Sequence, residues 1–123
     1  MEYTQRRDIV ERTFEFALAV VRCCCELEKN GTGVQRILGK QLLRSGTSVG
    51  ANVEEAQAGQ SRADFASKMC IALKEARESA YWLRLMTRSG LLRNEDGRKL
   101  LREAVELSNI LGAILAKLRR RNE

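Results

Sequence analysis

At 123 residues, with 44% hydrophobic and 31% charged side chains, the chain is long enough to bury a core without a disulfide or metal staple. Histidine is absent, which excludes Ser-His and Cys-His nucleophiles and the commonest metal ligand. The net charge of +6 is uneven: residues 1–35 carry five basic and six acidic residues, residues 36–123 seventeen and ten.

Such a bias favours nucleic acid or another acidic partner, although the same charge also solvates a helical surface. Proline, which interrupts helices, is absent, and the apolar mass is mostly Leu, Val, Ile and Ala. No stretch approaches the roughly 20 apolar residues of a membrane span. Residues 1–8 are polar and lack the apolar core of a secretory signal. No membrane association is expected, and the expected location is cytoplasmic.

Breaks at Asn30-Gly31-Thr32-Gly33, Gly59-Gln60-Ser61 and Ser89-Gly90 through Asn94 divide the chain into four segments. They predict a single all-α domain over residues 1–123. Its architecture is an antiparallel up-down-up-down four-helix bundle, with helices at about 4–29, 34–58, 61–89 and 95–120.

The first segment carries two adjacent apolar rows, Val10, Phe14, Ala17, Val21 and Cys24 beside Ile9, Phe16, Val20, Cys23 and Leu27. Cys23, Cys24 and Cys25 are consecutive and point about 100° apart on a helix, so they match no zinc pattern. With Cys70 they read as small hydrophobes of a reducing compartment.

The second segment has an apolar line of Leu38, Leu42, Val49, Val53 and Ala56. It also has three glycines, Gly39, Gly46 and Gly50, each costing about 1 kcal/mol against Ala in a helix. Small residues are tolerable where two backbones pack closely. Beside the apolar line run Ser45, Ser48, Asn52 and Glu55, a polar stripe flanking a core face.

The third segment opens with a capping-box-like Ser61 and Asp64, Asp standing for the usual Glu. Phe65, Met69, Ala72, Ala76, Ala80 and Leu83 share one face, and Trp82 falls off its centre, at the edge or at a contact between subunits. Asn94 with Glu95 and Asp96 predicts an N-cap for the fourth segment. This last segment again has two rows: Leu100, Ala104, Leu107, Leu111, Ile114 and Leu118 beside Leu101, Val105, Ser108 and Leu115. The double width of the first and fourth segments predicts a further buried surface and hence a homo-oligomer.

A hairpin centred near residue 60 places Arg44 near Glu75 and Glu78, and Asn52 and Glu55 near Lys68. These residues, with Ser45 and Ser48, are expected to form a partly buried polar network between helices two and three. Such a network fixes helix register; its alternative use is to bind a small ligand or phosphate. A di-metal carboxylate site needs Glu-x-x-His motifs that are not here, and no cofactor is expected. The basic candidates for nucleic-acid contact are Arg98, Lys99 and Arg102 at the start of helix four and Lys117, Arg119, Arg120 and Arg121 at its end. The terminal run also complements the helix dipole.

Two stretches are distinctive. One is Gln41-Leu42-Leu43-Arg44-Ser45-Gly46-Thr47-Ser48-Val49-Gly50-Ala51-Asn52-Val53-Glu54-Glu55. The other is Ala72-Leu73-Lys74-Glu75-Ala76-Arg77-Glu78-Ser79-Ala80-Tyr81-Trp82-Leu83. Together they resemble the four-helix-bundle proteins encoded in intervening sequences of bacterial 23S rRNA genes, with the match running through residues 41–86. Ala56 stands where that family usually has Gly after the N-x-x-E glutamate. The resemblance implies a left-handed bundle assembling as a homopentamer, with no enzymatic activity. It also implies kinship with the accessory variability protein of diversity-generating retroelements, a basic pentamer that binds nucleic acid and a reverse transcriptase. The function implied is a non-enzymatic RNA- or DNA-associated assembly protein, with itself and a nucleic-acid-processing protein as partners. The alternative is a protein-interaction scaffold that binds no nucleic acid.

Overall fold

The computed structural model describes residues 3–121, with side chains described for residues 6–120. It contains four helices, α1 (Tyr3–Asn30), α2 (Gly33–Gln57), α3 (Arg62–Arg88) and α4 (Glu95–Arg121). Each lies within two residues of its expected bounds. The short connections make sequential helices antiparallel. α1 packs on α2, α2 on α3 and α3 on α4, whereas α1 and α4 touch sparsely. The chain is therefore an all-α four-helix bundle, more open along its α1–α4 side.

The helix ends follow local chemistry. Thr32 and Gln35 form a complete capping box at the start of α2. Gln35 Nε2 also donates to the Leu91 carbonyl at 2.9 Å, tying two connections at the same end of the bundle. Ser61 Oγ accepts from the Asp64 amide at 3.0 Å, and Asn94 Oδ1 from the Gly97 amide at 2.9 Å. α3 stops in a Schellman arrangement: Gly90 takes φ 79°, Leu91 N–H bonds the Met86 carbonyl and Gly90 N–H that of Thr87.

The core is built from Phe16 and Val20, Leu42, Val49 and Val53, Met69, Ala76 and Leu83, and Leu107 and Leu111, all at most 2% exposed. Gly39, Gly46 and Gly50 of α2 lie where α1 crosses closely. A Cβ on Gly46 would stand 2.8 Å from Val20 Cγ1, and one on Gly50 would stand 3.1 Å from the Thr13 carbonyl oxygen.

Of the two rows on α1, only Ile9, Phe16, Val20 and Leu27, joined by Cys24, are buried. Phe14 and Val21 remain exposed. Their row lies on the α2 flank, where Val21, Cys25 and Leu43 line a shallow groove. On α4, Leu115 is buried but Val105 is 46% exposed. Val105 stands about 200° round the helix from Glu103, and Glu103 faces α1. The exposed members of the two rows, Phe14 and Val21 on α1 and Val105 on α4, therefore lie on different flanks and form no continuous α1–α4 face.

Candidate functional site

The polar stripe of α2 meets α3 as expected for its first half. Arg44 Nη2 contacts Glu78 Oε2 at 2.6 Å, and Arg44 Nη1 lies 3.9 Å from Glu75 Oε1. Below them, fully buried, the Ser45 and Ser79 hydroxyls lie 3.0 Å apart, with the Glu75 carbonyl also bonded to Ser79 Oγ. Ser79 was not among the sequence candidates. Its signal was present: symmetry about residue 60 sets Ser45 opposite Glu75, and Ser79 stands one helical turn beyond Glu75 on the same face.

The second half of the network does not form. Ser48 Oγ donates to the Arg44 carbonyl and Asn52 Nδ2 to the Ser48 carbonyl, both turned back on their own helix. Glu55 is exposed and Lys68 half-buried; no hydrogen bond or ion pair joins them among the described residues. Helix-interior serines commonly satisfy their hydroxyls in this local way, which a cross-helix pairing scheme does not anticipate. One carboxylate oxygen of Glu75 is buried with no hydrogen-bond partner among the described residues.

The basic candidates separate into two groups at opposite ends of the bundle, roughly 30 Å apart at 1.5 Å rise per residue. At the start of α4, Arg98 and Arg102 both pair with Glu95, at 3.0 and 2.9 Å. These arginines hold the Glu95 carboxyl below its ordinary range. Lys99 lines the cleft between α1 and α4. At the other end Lys117, Arg119 and Arg120 are exposed; Arg121 ends the helix and its side chain lies outside those described.

The α1–α4 cleft encloses about 870 Å³. Phe16, Leu27, Leu92 and Leu100 give it an apolar floor, and Arg22, Arg93, Lys99, Glu15, Glu26, Asp96 and Glu103 a rim of both signs. Arg12 clamps the two helices through paired 2.8 Å bonds to Glu103, and those bonds raise the Arg12 pKa. Cys23 also lines the cleft; burial raises its thiol pKa, and Asp96 raises it further. Burial pushes Cys24 up to about 12, with its Sγ 3.3 Å from the Gly39 carbonyl oxygen. In both, burial disfavours the thiolate, the reactive form. Among the described residues, no three Cys, Asp or Glu side chains gather to hold a metal, and no helix is long and apolar enough to cross a membrane.

A family model described as 23S rRNA-intervening sequence protein matches residues 5–113. The chain belongs to this family. A solved structure of a protein with unknown function, from the S23 ribosomal protein family of Bacteroides thetaiotaomicron, is similar to it. The two are 38% identical, the match covers 87% of this chain and 97% of that one, and the TM-score is 0.78. No curated protein matches the chain. The family match spans all four helices, so the polar seam of α2 and α3 sits within a fold that the family shares.

Proposed function

We propose that the chain is the subunit of a non-enzymatic homo-oligomer that holds RNA or DNA by its phosphate backbone. The placement of charge carries this reading. From Leu107 to Arg121, α4 contains Lys117, Arg119, Arg120 and Arg121 and no carboxylate. The antiparallel topology brings Arg6, Arg7 and Arg62, all exposed, to the same end, where with the α4 cations they outnumber the exposed Asp8, Glu54, Glu55 and Asp64. A cation-rich tip without a stacking platform suits sequence-independent, salt-sensitive contact with phosphates.

Assembly is supported by the large apolar side chains left exposed on several flanks: Phe14 and Val21 of α1, Val34, Ile37 and Leu43 of α2, Ile71 and Leu85 of α3 and Val105 of α4. Unlike apolar surfaces on more than one flank suit a head-to-tail ring; five subunits is the number that the family resemblance implies. The same exposed apolar side chains favour the second reading, a protein-interaction scaffold that binds no nucleic acid.

Mobility shifts with structured RNA and duplex DNA at rising salt, together with light-scattering mass, separate these readings. Complexes that weaken with salt and a mass several times 13.9 kDa are expected. No shift even at low salt leaves the scaffold alone; a monomer at micromolar protein overturns the assembly.

A further inference from the structure

α3 carries a third basic surface, distinct from both groups on α4. Lys74, Arg77, Tyr81, Arg84 and Arg88 follow one another at spacings of three, four, three and four, which sets them on one stripe of the helix. All five are exposed. None of the four cations makes an ion pair among the described residues. The two carboxylates nearest in sequence, Glu75 and Glu78, are turned towards Arg44 of α2. On neighbouring α4, Glu103 pairs with Arg12 of α1, and Glu106 acts on the same arginine. The α3 stripe is thus a line of unneutralised cations roughly 21 Å long at 1.5 Å per residue.

In the middle of this line stands an aromatic ring. Tyr81 is 48% exposed and is held edge-on by Trp82, with centroids 5.0 Å apart and planes at 74°. Trp82 is itself fixed: its Nε1 donates to Glu78 Oε2 at 3.2 Å, the oxygen that also takes Arg44. The polar seam between α2 and α3 therefore props a solvent-facing tyrosine between two pairs of cations. Cations alone recognise any polyanion. An exposed ring interleaved with them adds a stacking surface, which only an unpaired base can use.

We propose that the Lys74–Arg88 stripe of α3 binds single-stranded nucleic acid, its cations on the phosphates and Tyr81 stacked on a base. This rests on the nucleic-acid reading above and gives it a different place and a ligand class. The Arg44–Glu78–Trp82 chain makes Arg44 and Glu78 positioning residues for the ring.

The test is fluorescence anisotropy with labelled oligouridylate, against an RNA duplex and with polyglutamate as competitor, over a salt series. The wild-type protein is expected to prefer the single strand. Tyr81→Ala weakens it about tenfold, a typical loss for one stacked base, and Tyr81→Phe restores it. A triple variant Arg77→Gln, Arg84→Gln, Arg88→Gln lowers the slope of log affinity against log salt by about 2. A Lys117→Gln, Arg119→Gln, Arg120→Gln variant weakens single strand and duplex alike and keeps the preference. All substituted side chains are exposed, and circular dichroism confirms the fold of each variant.

Wild-type protein that binds no nucleic acid at low salt ends the broader reading, and this one with it. Binding that the α4 variant abolishes and the α3 variants leave intact keeps the broader reading and overturns the α3 stripe. Polyglutamate that displaces as well as oligouridylate, with Tyr81→Ala unaffected, also overturns it in favour of an acidic protein partner.

Discussion

Arg44 and Glu78 meet at 2.6 Å across the α2–α3 seam, and the same carboxylate oxygen receives the Trp82 indole N–H. The Arg44 side chain is 58% exposed and that of Glu78 28%, so solvent screens the pair and its worth to stability is below about 1 kcal/mol. Its effect is on orientation. Arg44→Met is expected to change unfolding free energy by less than about 1 kcal/mol while shifting the emission of Trp82, the single tryptophan. Urea titrations followed by far-ultraviolet dichroism, with emission spectra of the folded state, check both parts. A large loss of stability with unchanged emission contradicts this division.

Stability at the seam lies one layer deeper. Ser45 and Ser79 are fully buried and bonded together, so Ser79→Ala is expected to cost about 1–2 kcal/mol. Glu75 should behave in the opposite sense. Its nearest cation contact, 3.9 Å from Arg44, is too long for a hydrogen bond, and its other oxygen is buried without a partner. Replacing a poorly paired buried charge by an apolar side chain of similar size is often neutral or stabilising. Glu75→Met should therefore leave stability unchanged or raise it by about 1 kcal/mol. Denaturant midpoints of the two variants, moving apart, are the measurement.

The α1–α2 contact depends on a missing side chain. A Cβ at Gly46 would fall 2.8 Å from Val20, whose branched side chain has little freedom to move. Overpacking of this kind costs about 1–3 kcal/mol, partly offset by the better helix propensity of Ala. Gly46→Ala should lower stability by roughly 1–2 kcal/mol, and adding Val20→Ala should recover part of that loss in a double-mutant cycle.

The thiols divide by burial. Cys25 and Cys70 are exposed and Cys24 buried, so maleimide at mildly alkaline pH should label Cys25 and Cys70 first and spare Cys24 in the folded protein. Because Cys24 is pushed from its ordinary 9.0 to about 12, the folded state keeps its proton where the unfolded chain loses it. Its stabilisation is complete below pH 9 and declines as pH rises from 9 towards 12. Cys24→Ala should flatten that alkaline decline in thermal melts recorded across the range.

The four helices were legible because three kinds of signal agreed: apolar periodicity, Gly after a helix end, and Thr, Ser or Asn before the next start. The Arg44–Glu75–Glu78 cluster was legible from hairpin symmetry alone. Ser79 was missed because it stands one helical turn beyond Glu75, the residue that the same symmetry sets opposite Ser45. Ser48 and Asn52 misled because a hydroxyl or amide in mid-helix has a local carbonyl within reach, and spacing does not report that competition; Glu55 stays exposed. That Arg98, Lys99 and Arg102 stand at the opposite end of α4 from Lys117–Arg121 was legible in the sequence; that Glu95 occupies two of the three was not. The α3 stripe was obscured because Glu75 and Glu78 interleave with it in sequence. Only the three-dimensional placement of Arg44 shows that those carboxylates face away.

The central claim is that unneutralised cations on this bundle hold nucleic acid through phosphates, and the salt dependence of binding addresses it most directly. With wild-type protein and oligouridylate, log affinity should fall linearly with log salt, with a slope of about −0.7 for each phosphate engaged. No measurable complex at low salt, or a complex whose affinity does not change with salt, would contradict the account.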